Sequence, residues 1–125
     1  MGPVITAANV LRNKMDGKIS SINPLNVKEK MDRGEDFVLL DVRTGPEYKK
    51  GHIENCINMP LSGLPMMINQ LDKSKEIVTY CGVGLRAAHA HRILKNAGFG
   101  NTKFMEGSMS AWPFTTMAPP YFPGL

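Results

Sequence analysis

Cys81 is the residue in this chain best placed to do chemistry. It opens the run Cys81-Gly82-Val83-Gly84-Leu85-Arg86, directly after the apolar segment Ile77-Val78-Thr79-Tyr80 and directly before a helical pattern. A strand ending in a cysteine, then a short turn, then a helix aims backbone N–H groups at the sulfur. The helix N-terminus adds partial positive charge, and Arg86 adds a full one. All three favour thiolate over thiol, and the thiolate is the nucleophile. The plainer alternative is a core cysteine, since most free cysteines are buried. Two nearby glycines and an arginine weigh against it. Gly82 and Gly84 permit backbone angles that other residues resist. Successive N–H groups in so tight a turn form an anion nest. A nest this small suits a sulfur atom on the cysteine better than a full phosphate.

No other constellation competes. His52 stands alone, and His89 and His91 lie two apart on a helix, facing different directions. All three are expected on the surface, and no metal site or cofactor is expected. A Cys–His protease would need a histidine beside Cys81, which nothing in the sequence supports.

Positioning Cys81 requires a framework, and the apolar pattern supplies one. Strands are expected at Ile19–Ile22, Phe37–Leu40, Cys56–Met59, Ile77–Tyr80 and Lys103–Met105. Phe37–Leu40 and Ile77–Tyr80 are continuous apolar runs, as in strands buried on both faces. Helices are expected at 4–16, at 24–33 behind an Asn23 cap, and at 46–50. A further helix should run from Ser62 to Leu71, and another over 85–97 with Ala90, Ile93, Leu94 and Ala97 inward. A last helical turn covers Ser108–Trp112. This alternation predicts an α/β domain with a central parallel sheet of about five short strands and helices on both faces. In such sheets ligands bind beyond the carboxyl ends of the strands. Cys81 sits at one such end and Asp41 to Arg43 at another.

Composition bounds the rest. At 125 residues, 42% of them apolar, the chain is expected to form one domain with a real core. The expected division is an N-terminal helical extension over 1–17, a domain over 18–113 and an extended Pro/aromatic tail over 114–125. The net charge of +4 is scattered, so neither nucleic acid nor membrane is an expected partner. A mild positive field would still help collect a small anion. Two cysteines are too few for a disulfide framework. With no signal-peptide pattern at the start, a reducing, cytoplasmic setting is expected.

Four separated segments resemble the rhodanese family of sulfurtransferases. They are Leu39-Leu40-Asp41-Val42-Arg43 with Glu47-Tyr48; Tyr48-x-x-x-His52-Ile53 with Ile57-Asn58-Met59-Pro60; Tyr80-Cys81-Gly82-Val83-Gly84-Leu85-Arg86-Ala87; and Gly107 with Ala111-Trp112. The resemblance spans about residues 18–113. It implies a rhodanese-like fold and a two-step transfer. Cys81 takes the outer sulfur of thiosulfate or another persulfide donor and holds it as a persulfide. The sulfur then passes to cyanide, a thiol or a protein acceptor. Gly82, Val83, Gly84, Leu85 and Arg86 would bind the substrate. Asp41 and Arg43 would support the loop through hydrogen bonds and a salt bridge, with Glu47 a candidate partner. Cys56 stands where the family has a small residue. It is expected to be a packing residue, with a resolving thiol as the alternative. A regulatory or sulfur-carrying interaction domain is the second reading of the whole chain. A cysteine-loop phosphatase or arsenate reductase is the third, disfavoured by a loop one residue too short.

Overall fold

The computed structural model describes residues 20–118. The expected helix over 4–16, and the tail residues Tyr121 and Phe122, lie outside them. Strand β1 is Ser21–Ile22, helix α1 Pro24–Asp32, β2 Phe37–Asp41, α2 Gly45–Lys50, β3 Ile57–Asn58, α3 Leu64–Met67, β4 Glu76–Tyr80, α4 Leu85–Asn96 and β5 Thr102–Met105. The five strands form one parallel sheet in the order β1-β5-β4-β2-β3. The register sets Asp41 beside Tyr80, so the ends of β2 and β4 finish level. That alignment brings Asp41–Arg43 and Cys81 to one rim.

Local chemistry explains the helix starts. The Asn23 side chain accepts from the Asn26 N–H, and Pro24 opens α1. Thr44 caps α2 in a reciprocal box with Glu47: the Glu47 N–H donates to Thr44 Oγ1, and the Thr44 N–H to Glu47 Oε1. The expected single helix over 62–71 is instead three short pieces. A 3₁₀ turn at Leu61–Gly63, then α3, then a 3₁₀ turn at Ile68–Gln70 cover it, and Ser62 makes no cap. Gly63 and Pro65 interrupt the run, because proline has no N–H for a helical bond. The inward pattern still holds at Leu64 and Leu71.

Side chains alternate across the sheet and build two cores. Leu40, Ile77 and Cys81 face Leu64, Ala87, Ala90, Leu94 and Phe99 on one side. Leu39, Val78, Tyr80 and Met105 face Val27, Ile53 and Trp112 on the other. Helices therefore cover both faces, as the apolar strands require. Phe114 packs edge-on against Trp112, so the start of the tail returns to the domain.

The buried stripe of α4 is Ala87, Ala90, His91 and Leu94, whereas Ile93 and Ala97 are only half-buried. The surface position expected for His91 is thus corrected. It stands at i+4 from Ala87, squarely on the stripe, and packs near the Phe104 ring. Burial lowers its pKa. His52 is also not a free surface group. Its ring stacks on Tyr48 at 3.9 Å and its Nδ1 lies 3.0 Å from the Tyr48 carbonyl oxygen. His89 is exposed as expected.

Candidate active site

Cys81 leaves β4 on the same face as Ile77 and Thr79, toward the start of α4. Thr79 ties the two elements together, its hydroxyl donating to the Ala87 carbonyl at 2.8 Å. The chain then turns through Gly84, whose φ of +125° is a conformation L side chains rarely adopt. This turn lets the Gly84 N–H donate back to Cys81 Sγ at 3.0 Å. The Ala87 N–H, the third of α4, donates to the same sulfur at 3.3 Å. By position, the Leu85 and Arg86 N–H groups have no intrahelical partner either. A negative sulfur here faces N–H groups and a helix N-terminus instead of hydrocarbon alone. Cys81 is 1% exposed, so the sulfur lies at the floor of the nest.

The base of the loop is anchored from a segment far along the chain. The Cys81 N–H donates to Ser108 Oγ at 3.1 Å, and Ser108 in turn donates to the Met105 carbonyl. The Met109 and Ser110 N–H groups donate to the carbonyls of Cys81 and Gly82. Ser108 reaches this position by adopting a φ of 49°, after Gly107 at 68°. Sequence reasoning placed a helical turn here and missed Ser108 and Ala87 as site residues. The signal available for Ser108 was its place directly after Gly107, a glycine-led turn beyond the last strand.

Asp41 and Arg43 are shut into the rim. Arg43 holds Asp41 through Nε and Nη2, the latter at 2.8 Å, and Nη2 also donates to the Gly51 carbonyl at 2.6 Å. The Asp41 carboxylate also accepts the Arg43 N–H. Burial opposes the Arg43 charge, and its bonds to Asp41 outweigh that, leaving its pKa raised. The expected pairing of Arg43 with Glu47 is corrected. Glu47 turns instead to Arg86, with Nη1–Oε1 at 2.7 Å and Nη2–Oε2 at 3.0 Å. One turn of α2 carries Glu47 away from Arg43 and across to the Cys81 loop. Arg86 holds the Glu47 carboxyl at about 2, with the Thr44 N–H contributing. A Cβ built on Gly82 would stand 3.4 Å from Arg86 Nη2, so the guanidinium lies across the loop. Val83 and Leu85 project outward, 69% and 79% exposed.

Cys56 belongs to the other face of the sheet. Its sulfur shares a hydrogen bond with the buried Tyr80 hydroxyl at 3.4 Å, and that oxygen accepts the Ile53 N–H. Burial pushes the Cys56 thiol up to about 11. Its place is that of a packing residue. Among the described residues, no group of three or more His, Cys, Asp or Glu is arranged to hold a metal. No helix among them is long and apolar enough to cross a membrane.

Residues 23–113 match the family model of the rhodanese-like domain. The chain belongs to this family. The rhodanese-like domain is 34% identical over 95 residues to a putative sulfurtransferase, YtwF, of Bacillus subtilis, covering 76% of this chain and 91% of that protein. Its fold superposes on a rhodanese-related protein from Thermoplasma volcanium with a TM-score of 0.72 and 30% identity, covering 78% of this chain and 97% of the other. It is also similar to one part of an NAD-dependent persulfide reductase from A. fulgidus, with 42% identity and a TM-score of 0.65. That match covers 88% of this chain and 19% of the reductase. The rhodanese-like identity agrees with the parallel sheet and with the placement of Cys81 at its carboxyl rim.

Proposed function

We propose that this rhodanese-like domain is a sulfurtransferase that carries sulfane sulfur as a persulfide on Cys81. The observation that supports this best is the Cys81 sulfur accepting N–H groups from Gly84 and Ala87 at 3.0 and 3.3 Å, within a six-residue loop. The Cys81 thiolate attacks the outer sulfur of a donor. The donor's S–S bond breaks, its electron pair leaves with sulfite when the donor is thiosulfate, and Cys81–S–S⁻ remains. Moving the negative charge out by one sulfur keeps it inside a cradle of N–H groups, including those of Leu85 and Arg86. A thiophilic acceptor, cyanide or a thiolate, then attacks the outer sulfur and releases the Cys81 thiolate. Both steps are displacements at sulfur and need no redox partner, and the cycle is ping-pong. The burial of Cys81 favours donors that present a single protruding sulfur over a tetrahedral phosphate. A free thiolate persists best in a reducing compartment, which accords with a cytoplasmic setting.

A protein acceptor is favoured by one further observation. Val83 and Leu85, two large apolar side chains, stand exposed on the loop that holds the sulfur. Together they set apolar surface beside the sulfur, which suits contact with a protein acceptor.

Wild-type protein given thiosulfate and cyanide should release thiocyanate, and Cys81→Ser should release none. Mass spectrometry should find one added sulfur on Cys81 after thiosulfate or an organic persulfide. If no sulfane donor adds sulfur there, the persulfide mechanism fails. Steady turnover of an aryl phosphate, lost in Cys81→Ser, would support the phosphatase reading instead.

A further inference from the structure

Both arginines on the rim already hold a carboxylate. Arg43 is paired with Asp41 inside the protein, and Arg86 is paired with Glu47 through two bonds of 2.7 and 3.0 Å. Further along α4, Arg92 lines a second cavity together with Leu85 and Arg86. The guanidinium carried by the Cys81 loop itself is paired with a carboxylate from a neighbouring element. Beside it runs a cavity of about 560 Å³ lined by the apolar Val42, Pro60, Leu61, Pro65 and Ile93 and by the polar Thr44, Ser62, His89 and Arg86. Arg86, which closes the Cys81 loop, is one of the lining residues, so the groove adjoins the loop. Its size and lining suit a small organic group.

We propose that Glu47 is a specificity-determining residue: by holding Arg86 in a two-point pair, it withholds the cation an inorganic dianion would seek, and leaves the site selective for a sulfane donor whose carbon arm fills the adjoining groove. This rests on the persulfide reading of Cys81 and names its donor class. With such a donor, R–S–S⁻, the Cys81 thiolate takes the outer sulfur. The R–S bond stays intact, the S–S bond breaks, and R–S⁻ leaves with the electron pair. Thiosulfate brings two charges and no carbon arm to the same place. It finds the loop's own guanidinium already paired with Glu47 and makes no use of the groove.

The test compares the rates at which thiosulfate and benzyl persulfide add one sulfur to Cys81, read by quenched mass spectrometry. Glu47→Gln keeps an oxygen for the Thr44 N–H while removing the charge. It should raise the thiosulfate rate constant about tenfold, since rim charges act mainly on association. The benzyl persulfide rate should change less than about twofold. The Glu47→Gln gain with thiosulfate should also fade with salt, which a purely structural role of Glu47 would not produce. In the wild type, thiosulfate loading should vary less than about threefold between about 0.02 and 0.5 M salt. An unchanged ratio of the two rates in Glu47→Gln overturns the proposal. So does a steep salt dependence in the wild type, a measurement that does not need the variant to fold. If neither donor loads wild-type Cys81, the persulfide reading itself falls and takes this proposal with it. Loading of wild type by both donors with no effect of Glu47→Gln removes the proposal alone.

Discussion

The Asp41–Arg43 and Glu47–Arg86 pairs stand on one rim, yet one is closed in protein and the other stands half in water. Side-chain exposure is 0% and 8% for the first and 39% and 37% for the second. The first joins residues two apart and fastens the end of β2 to Gly51. The second joins residues 39 apart and ties α2 to the sulfur-bearing loop. A buried pair is hard to do without, because removing one partner strands the other's charge. A half-exposed pair adds little stability but sets the charge that a ligand meets. The two pairs thus show the same chemistry used once to hold the rim and once to tune it.

Breaking the buried pair should have the largest effect. Arg43→Ala should cost about 3–5 kcal/mol in urea unfolding, because Asp41 is left buried and charged. A cost below about 1 kcal/mol would erase the contrast between the pairs. Ser108→Ala comes next. It leaves the buried Cys81 N–H without its partner and should cost about 1–3 kcal/mol, together with slower sulfur loading of Cys81. Normal loading in a destabilised Ser108→Ala would show that the anchor serves the fold alone.

The exposed pair should register more weakly in stability. A double-mutant cycle of Glu47→Gln and Arg86→Gln should give a coupling of about 0.2–1 kcal/mol that shrinks with added salt. The pH dependence follows from the lowered Glu47 pKa. Glu47 ionises more readily folded than unfolded, so its contribution is full above the ordinary 4.5 and is lost as pH falls toward about 2. Melts at pH 5 and pH 8 should therefore show the same coupling, and a loss already at pH 6 would contradict the pairing. The smallest change is expected from Cys56→Ala, on the opposite face of the sheet. Sulfur transfer should be nearly unaltered, and a large loss would restore Cys56 as a resolving thiol.

Much of this was legible along the chain. The strands with continuous apolar runs, Phe37–Asp41 and Glu76–Tyr80, became the central pair of the sheet, because a parallel sheet buries both faces. The Cys81 loop was legible because strand, glycine turn and helix are local features. Helix 62–71 was misread because apolar spacing outweighed Gly63 and Pro65, which break the backbone pattern that the spacing implies. His91 was misread because the inward face was placed at Ala90, Ile93, Leu94 and Ala97, whereas packing turns Ala87, Ala90, His91 and Leu94 inward.

The sequence by itself determined that a cysteine would stand at the carboxyl end of a buried strand, cradled by the first turn of a helix. That outcome depends on residues close in the chain and on the periods of strand and helix. Only the tertiary structure decided which partner each arginine took. Arg43 takes Asp41, two residues away, while Glu47 pairs with Arg86 because of how α2 is aimed relative to α4. It also decided that Ser108, 27 residues beyond Cys81, would hold the loop, and that Cys56 and Cys81 would lie on opposite faces. Contacts of that range follow from sheet order and strand register, and no local pattern encodes them.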